Sequence, residues 1–175
     1  DSSDALQPSA DTVAKRITSR TKAVIVVHLA GLPAPVDEIS ALCSAKGIAV
    51  VEDCAQAWGT RLRQRRVGTF GVAGCYSLND FKHISCGDGG VVVLRDAALY
   101  RRLANYSDKH YDRFFDKSLS QAHHGMNYRM SELQGAVACA QMEVVDQISD
   151  RYHEIGERLL AGINSISGLS MVGAI

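Results

Sequence analysis

Three polar residues stand where short apolar runs give out: Asp53, Ser77 and, five positions beyond Ser77, Lys82. A lysine amine that is neutral part of the time condenses with a carbonyl, and a closed, poorly hydrated pocket favours that neutral form. A carboxylate such as that of Asp53 can hold a proton on a ring nitrogen through a charge-assisted hydrogen bond. The Ser77 hydroxyl, set beside backbone amides, suits a phosphate oxygen. A glycine-rich turn, Gly87-Asp88-Gly89-Gly90, follows. Each piece also has an ordinary reading: a strand-terminal Asp caps helices, a loop lysine is solvated, and a glycine turn joins two strands. Together they are the set that pyridoxal phosphate chemistry needs, with a lysine for the covalent link, an acid for the pyridine nitrogen and small donors for the phosphate.

The elements that position these residues follow from hydrophobic periodicity. Ala10, Val13, Ala14 and Ile17 fall at helical spacing, so residues Pro8 to Ile17 read as a helix with Ser9 as N-cap. The run Ala23 to Val27 is β-branched, continuous and too short for a helix, which fits a strand buried on both faces in a parallel sheet. A helix from Asp37 to Lys46, stopped by Gly47, leads to a second strand, Ile48 to Val51, which ends at Glu52-Asp53. This β-α-β order implies a right-handed crossover and a parallel pair. Further strands read at Gly74–Leu78 and Gly90–Leu94, and a helix at Ala97–Asn105. Residues 106–127 read as a long loop. Helices are expected at Ser131–Ile148, with Leu133, Val137, Ala140 and Val144 on one core-facing stripe, and at Arg151–Ile163. The expected class is α/β, a three-layer αβα arrangement with helices on both faces of a mostly parallel sheet. Ligands of such sheets sit beyond the carboxyl ends of the strands, which singles out His28, Asp53, Gln56, Ser77 and Lys82.

Composition narrows the function classes. The 175 residues are 46% hydrophobic and 22% charged, which is ordinary globular composition. Nineteen basic residues balance nineteen acidic ones, so no electrostatic footprint for nucleic acid or an anionic membrane is present. The five cysteines are scattered, without a C-x-x-C, which argues against a disulfide framework or a structural zinc site. They read as small buried hydrophobes in a reduced, cytoplasmic protein. No metal is expected.

Several segments taken in order then become familiar. They are Val26-Val27-His28-Leu29-Ala30-Gly31, Val51-Glu52-Asp53-Cys54-Ala55-Gln56-Ala57-Trp58-Gly59 and Val67-Gly68-Thr69-Phe70-Gly71. To these add Ser77 to Lys82, Gly87 to Gly90, and Asn127-Tyr128-Arg129-Met130-Ser131-Glu132-Leu133-Gln134. The sequence resembles the DegT/StrS family of pyridoxal-phosphate-dependent sugar aminotransferases, from about residue 1 to about residue 165. The resemblance implies the large domain of a fold type I pyridoxal phosphate enzyme over residues 1–165, incomplete at its N-terminus. Residues 166–175 would begin the connection to a small C-terminal domain.

The same resemblance implies roles. Lys82 would bind the cofactor covalently and shuttle protons, and Asp53 would bind the pyridine nitrogen. Gln56 would lie beside the ring near its 3-hydroxyl, with Ala55 as the small residue beneath it. Ser77 would hold the phosphate. Asn127 would reach the phosphate of a partner subunit in a homodimer with shared active sites. The reaction implied moves an amino group from glutamate or glutamine to a nucleotide-linked keto-sugar or a keto-cyclitol. Two alternatives stay open: a non-catalytic interaction domain, and an aminohydroxybenzoate-type synthase on the same scaffold. Related dehydratases place His at the lysine position, and Lys82 argues against that chemistry. His28 reads as a structural hydrogen-bonder or a substrate contact. The loop with His110, His123 and His124 reads as a substrate or interface segment or as a surface loop, and the basic run Arg61, Arg63, Arg65 and Arg66 as solvated or as a nucleotide diphosphate contact. His83 beside Lys82 is not assigned as a second base. Trp58 reads as a core or pocket-wall residue.

Overall fold

Four strands hydrogen-bond in the order β1-β2-β5-β6: β1 Ala23–Val27, β2 Ala49–Asp53, β5 Ala73–Ser77 and β6 Gly90–Leu94. The computed structural model describes residues 6–112, 114 and 124–169. β1, β2 and β5 run parallel and β6 pairs antiparallel with β5, so the α/β class with a mostly parallel sheet stands. Helix α1 spans Ala10–Ala14 and α2 Val36–Ser44; α2 forms the crossover from β1 to β2. Ser9 caps α1 as its sequence position suggests, reciprocally with Thr12. Between β2 and β5 lies an antiparallel hairpin, β3 Arg61–Leu62 with β4 Arg65–Arg66. Helices α3 Ala97–Ser107, α4 Glu132–Met142 and α5 Val145–Asn164 complete the chain. His123, most of the long loop's second half and residues 170–175 of the expected domain connection lie outside the described residues.

Strand register assigns every side chain of the sheet to a face. Val24 and Val50 share a face with the row Val26, Glu52 and Gly74, and with the pair Tyr76 and Val91. All three buried clusters lie against this face. The first joins Val26 and Val50 to Val36, Ile39 and Cys43 of α2, with α1 packed against it. The second joins Trp58, Leu78 and Ile84 to Ala138 of α4 and Val145 of α5, with Tyr76 and Val91 against it. The third, Cys54, Ala57 and Val67, lies under Tyr76.

The opposite face differs from the expectation for β1. Ile25 is 68% exposed and Val27 41%. α3 runs beside β6 and, together with Cys75, Val92 and Leu94, lines a cleft on that side. Over β1 and β2, none of the clusters among the described residues reaches this face. A β-branched run reports that a strand can be buried on both faces; it does not supply the second layer. A second correction concerns α4. Its expected core stripe is exposed, with Leu133 at 82% and Val137 at 48%, and Ala138 is the residue that turns inward. α4 also ends at Met142, and a turn separates it from α5.

Candidate active site

Asp53 closes β2, paired with Val27 on one side and Cys75 on the other. Ser77 lies two residues beyond Cys75 on β5, so pleat alternation brings Asp53 and Ser77 to the same, open face at the carboxyl ends of adjacent parallel strands. The Ala55 amide donates to Asp53 Oδ1 at 3.0 Å, and the Ala57 amide donates to the Cys54 carbonyl at 2.9 Å. These bonds form a tight turn with the small, half-buried Ala55 inside it. Gln56 is exposed, and its Oε1 accepts the Ala30 amide at 2.7 Å. With the Thr60 hydroxyl donating to the Gly31 carbonyl at 2.8 Å, this locks the 3-10 turn Leu29–Gly31 onto residues 56–60.

The segment from Ser77 to Lys82 is built as a presented turn. Ser77 Oγ accepts the Asn79 amide, Asn79 Oδ1 accepts the Phe81 amide, and the Asn79 carbonyl accepts the Lys82 amide. Leu78 and Ile84, 0% and 1% exposed, pin the two ends of the turn into the core. Trp58 adds a clamp, its indole Nε1 donating to the Ser77 carbonyl at 2.7 Å while its ring lies 4.5 Å from that of Tyr76. Lys82 is half-buried, and its side chain makes no hydrogen bond or ion pair among the described residues. The His83 ring lies edge-on to that of Tyr152, their centroids 5.1 Å apart. Burial, and then the charge of Lys82, hold its imidazole below the usual histidine range, so it stays neutral beside the lysine.

Asn127 stands apart. It bridges to Asp108, accepts from Arg129 Nε at 3.2 Å, and lines a cleft with Ser107, Tyr128 and Gln134. None of Asp53, Gln56, Ser77 or Lys82 lines that cleft. Within one chain, therefore, the structure gathers Asp53, Ala55, Gln56, Ser77 and Lys82 on the strand-end turns and leaves Asn127 elsewhere. The arginine run is spent on structure: Arg63 pairs with Asp37 at 2.8 Å, Arg66 with Asp146 at 2.6 Å, and Arg65 lies 4.1 Å over the Phe70 ring.

Glu52 is the residue that sequence reasoning passed over. It is fully buried and points away from Asp53. Its Oε1 accepts the Phe70 and Gly71 amides at 2.6 and 2.7 Å, and its Oε2 accepts the Gly68 amide at 2.5 Å and His28 Nε2–H at 3.1 Å. Burial raises its pKa, but the bonds from His28, Gly71, Gly68 and Phe70 together outweigh burial and leave it below the usual carboxylate range. Its anionic form is thus the stable one. The motif Val67 to Gly71 was visible in sequence; that its amides converge on a carboxylate was not.

The site also fits the cofactor that the residue types suggest. Among the described residues one Asp53 oxygen is engaged and the other is left for a ring nitrogen. Ala55, with a single methyl, would leave room beneath a ring, and the Lys82 amine, unpaired among the described residues, would be available for a covalent link.

Over residues 2–173 the chain matches the DegT/DnrJ/EryC1/StrS aminotransferase family. It belongs to that family. Members of the DegT/StrS family are pyridoxal-phosphate-dependent aminotransferases. The chain is 34% identical to GDP-perosamine synthase of Escherichia coli O157:H7, over 91% of its own length and 43% of that protein's. It is 36% identical to L-glutamine:2-deoxy-scyllo-inosose aminotransferase of Micromonospora echinospora, over 92% of its length and 40% of that protein's. A solved sugar aminotransferase from Micromonospora echinospora superposes with a TM-score of 0.88 at 30% identity, covering 100% of this chain and 50% of that one. The chain thus spans half or less of the length of these DegT/StrS relatives.

Proposed function

We propose that this chain forms the cofactor-binding part of a pyridoxal-phosphate-dependent aminotransferase. The enzyme would act on a nucleotide-linked keto-sugar or a keto-cyclitol, with glutamate or glutamine as amino donor. The observation that carries this reading is the shared face and strand end of Asp53 and Ser77, with the unpaired Lys82 on the turn leaving Ser77. Relatives named for a sugar nucleotide and for a cyclitol ketone support the two substrate classes.

Bound pyridoxal phosphate supplies an electron sink that eases deprotonation of the carbon bearing the amino group. The chain's own residues do the rest. Lys82 Nζ would anchor the cofactor between turnovers and, once displaced, would carry the proton between the substrate carbon and the cofactor carbon that bears the amino group. The unengaged Asp53 oxygen keeps a proton on the ring nitrogen. Gln56, braced by Ala30, would lie beside the ring near its 3-hydroxyl, and Ala55 would be the small residue beneath it. The Ser77 hydroxyl, whose oxygen accepts the Asn79 amide, would donate its proton to the phosphate.

Asn127, which lines a separate cleft, serves the phosphate of a second subunit in a homodimer. The exposed Leu133–Val137 stripe on α4, a few residues away, supports an interface there. Among the described residues no helix is long and apolar enough to cross a membrane. A cytoplasmic location is part of the proposal.

The test is direct. Protein incubated with pyridoxal phosphate is expected to gain a visible absorbance band, and borohydride is expected to fix the cofactor's mass on the peptide containing Lys82. Lys82→Ala abolishes both. Persistence of the band in that variant, or capture on another lysine, refutes the assignment.

A further inference from the structure

We infer that Glu52 and His28 form a positioning pair for the active-site turn, setting the places of Asp53 and Gln56 from the opposite side of the sheet. This inference rests on the proposed reading of those two residues as cofactor contacts. His28, Glu52 and Cys54 offer ligand atoms that all lie within 4.8 Å of one another, the spacing of a metal trio. The hydrogen bonds assign them otherwise. His28 Nδ1 accepts the Ala34 amide at 3.1 Å, so the ring proton sits on Nε2 and is donated to Glu52. The Cys54 thiol, pushed up to about 12 by burial and then by the Glu52 charge, keeps its proton.

From this hub, two chains of contacts run to the site. The His28 amide donates to the Asp53 carbonyl at 3.0 Å while the His28 ring holds Glu52, so the end of β1 grips two consecutive residues of β2. Past His28 the chain makes the turn 29–31, whose Ala30 amide orients Gln56. On the other side, Glu52 draws the amides of residues 68, 70 and 71 onto β2. The approach is main chain against main chain: a Cβ on Gly71 would fall 2.3 Å from the Val50 carbonyl oxygen, and one on Gly74 would fall 2.2 Å from that of Gly68. A tight internal anion nest thus holds both flanks of the strand that delivers Asp53.

Glu52→Gln preserves shape but breaks this logic. Gly68 N–H and His28 Nε2–H both donate to one Glu52 oxygen, and Phe70 and Gly71 both donate to the other, so either placement of the amide NH2 sets donor against donors. The experiment is amide hydrogen exchange on cofactor-free protein. In Glu52→Gln, exchange is expected to rise tenfold or more in both peptides 67–71 and 53–57, with α2 unchanged. In cofactor-loaded protein, the pH midpoint of the visible absorbance is expected to move in the same direction as in Asp53→Asn, which removes the ring contact itself. If exchange rises in 67–71 alone, or evenly through the chain including α2, or if the midpoint stays put, the positioning role is overturned. Should Glu52→Gln fail to fold, His28→Gln decides on the same peptides, because it keeps the carboxylate and loses the Ala34 bond. Wild-type protein that takes up no pyridoxal phosphate overturns the proposed function instead, and the exchange result still decides the tie between hub and turn.

Discussion

Glu52 and Asp53 are neighbouring carboxylates with opposite fates, and the pleat of β2 separates them. Asp53 faces the open side with one oxygen free among the described residues, while Glu52 is buried with both oxygens engaged by four donors. Removing the acceptor strands those donors without water. Each buried unsatisfied group costs roughly 1–3 kcal/mol, so Glu52→Ala is expected to lower unfolding free energy by about 4 kcal/mol or more in urea titration. The same charge gives stability a pH dependence. Its folded pKa lies below the 4.5 of the free side chain, so its contribution is complete above that value and is lost as pH falls through the depressed folded value. Thermal midpoints of the wild type are expected to drop with acid below about pH 5, more steeply than those of Glu52→Gln. Asp53, Ser77 and Lys82 were legible in the sequence because a strand end is a local signal. Glu52 was not, because its donors arrive from residues 28 and 68–71, a convergence that only tertiary structure creates.

At the level of elements, the sheet strands were readable to within two residues, β1 and β6 from their continuous β-branched runs; β5 holds no β-branched residue and was readable only as a short, mostly apolar stretch ending near Ser77. The β3–β4 hairpin was not, and its turn explains why. Arg63 and Gln64 sit at φ 48° and 66°, a left-handed pair that glycine or asparagine normally announces. Side-chain bonds hold it instead: Arg63 reaches across to Asp37 and Glu38, and within the hairpin Arg61 reaches the Gln64 carbonyl. Left-handed backbone costs a non-glycine residue roughly 1–2 kcal/mol, against about 0.5–1 kcal/mol of extra chain entropy for glycine. Gln64→Gly is therefore expected to stabilise the protein by about 0.5 kcal/mol, read as a small rise in thermal midpoint with the cofactor site unchanged. The α4–α5 break was hidden for a related reason. No glycine or proline marks it; the start of α5 is aimed by Arg66–Asp146 and by Ser149 donating to the Trp58 carbonyl at 3.3 Å. The stripe on α4 misled in the opposite sense, since apolar residues at helical spacing say that a helix has a face to bury but not what it buries it against.

At the scale of the whole molecule, the proposed homodimer would account for both that stripe and the position of Asn127. Leu133 and Val137 are among the exposed apolar residues of α4, and Met126, Tyr128 and Met130 extend the patch toward Asn127. Contiguous exposed apolar surface rimmed by polar residues marks an association site, and here it adjoins a residue separated from the other proposed cofactor contacts. The proposed homodimer, its subunits meeting along α4, would cover the patch and carry each Asn127 toward the neighbour's site. Because Leu133 is 82% exposed among the described residues, Leu133→Asp is expected to leave the monomer's fold intact and to act on association. Light scattering on the purified protein is expected to give a dimer, and the Leu133→Asp variant a monomer with an unchanged circular dichroism spectrum. That monomer is expected to bind pyridoxal phosphate at least tenfold more weakly, since each site loses the partner's Asn127. Asn127→Ala should reproduce the weakened binding while remaining dimeric. If the Leu133→Asp monomer binds the cofactor as tightly as the wild type, the active site is complete within one chain and the shared-site assembly is wrong.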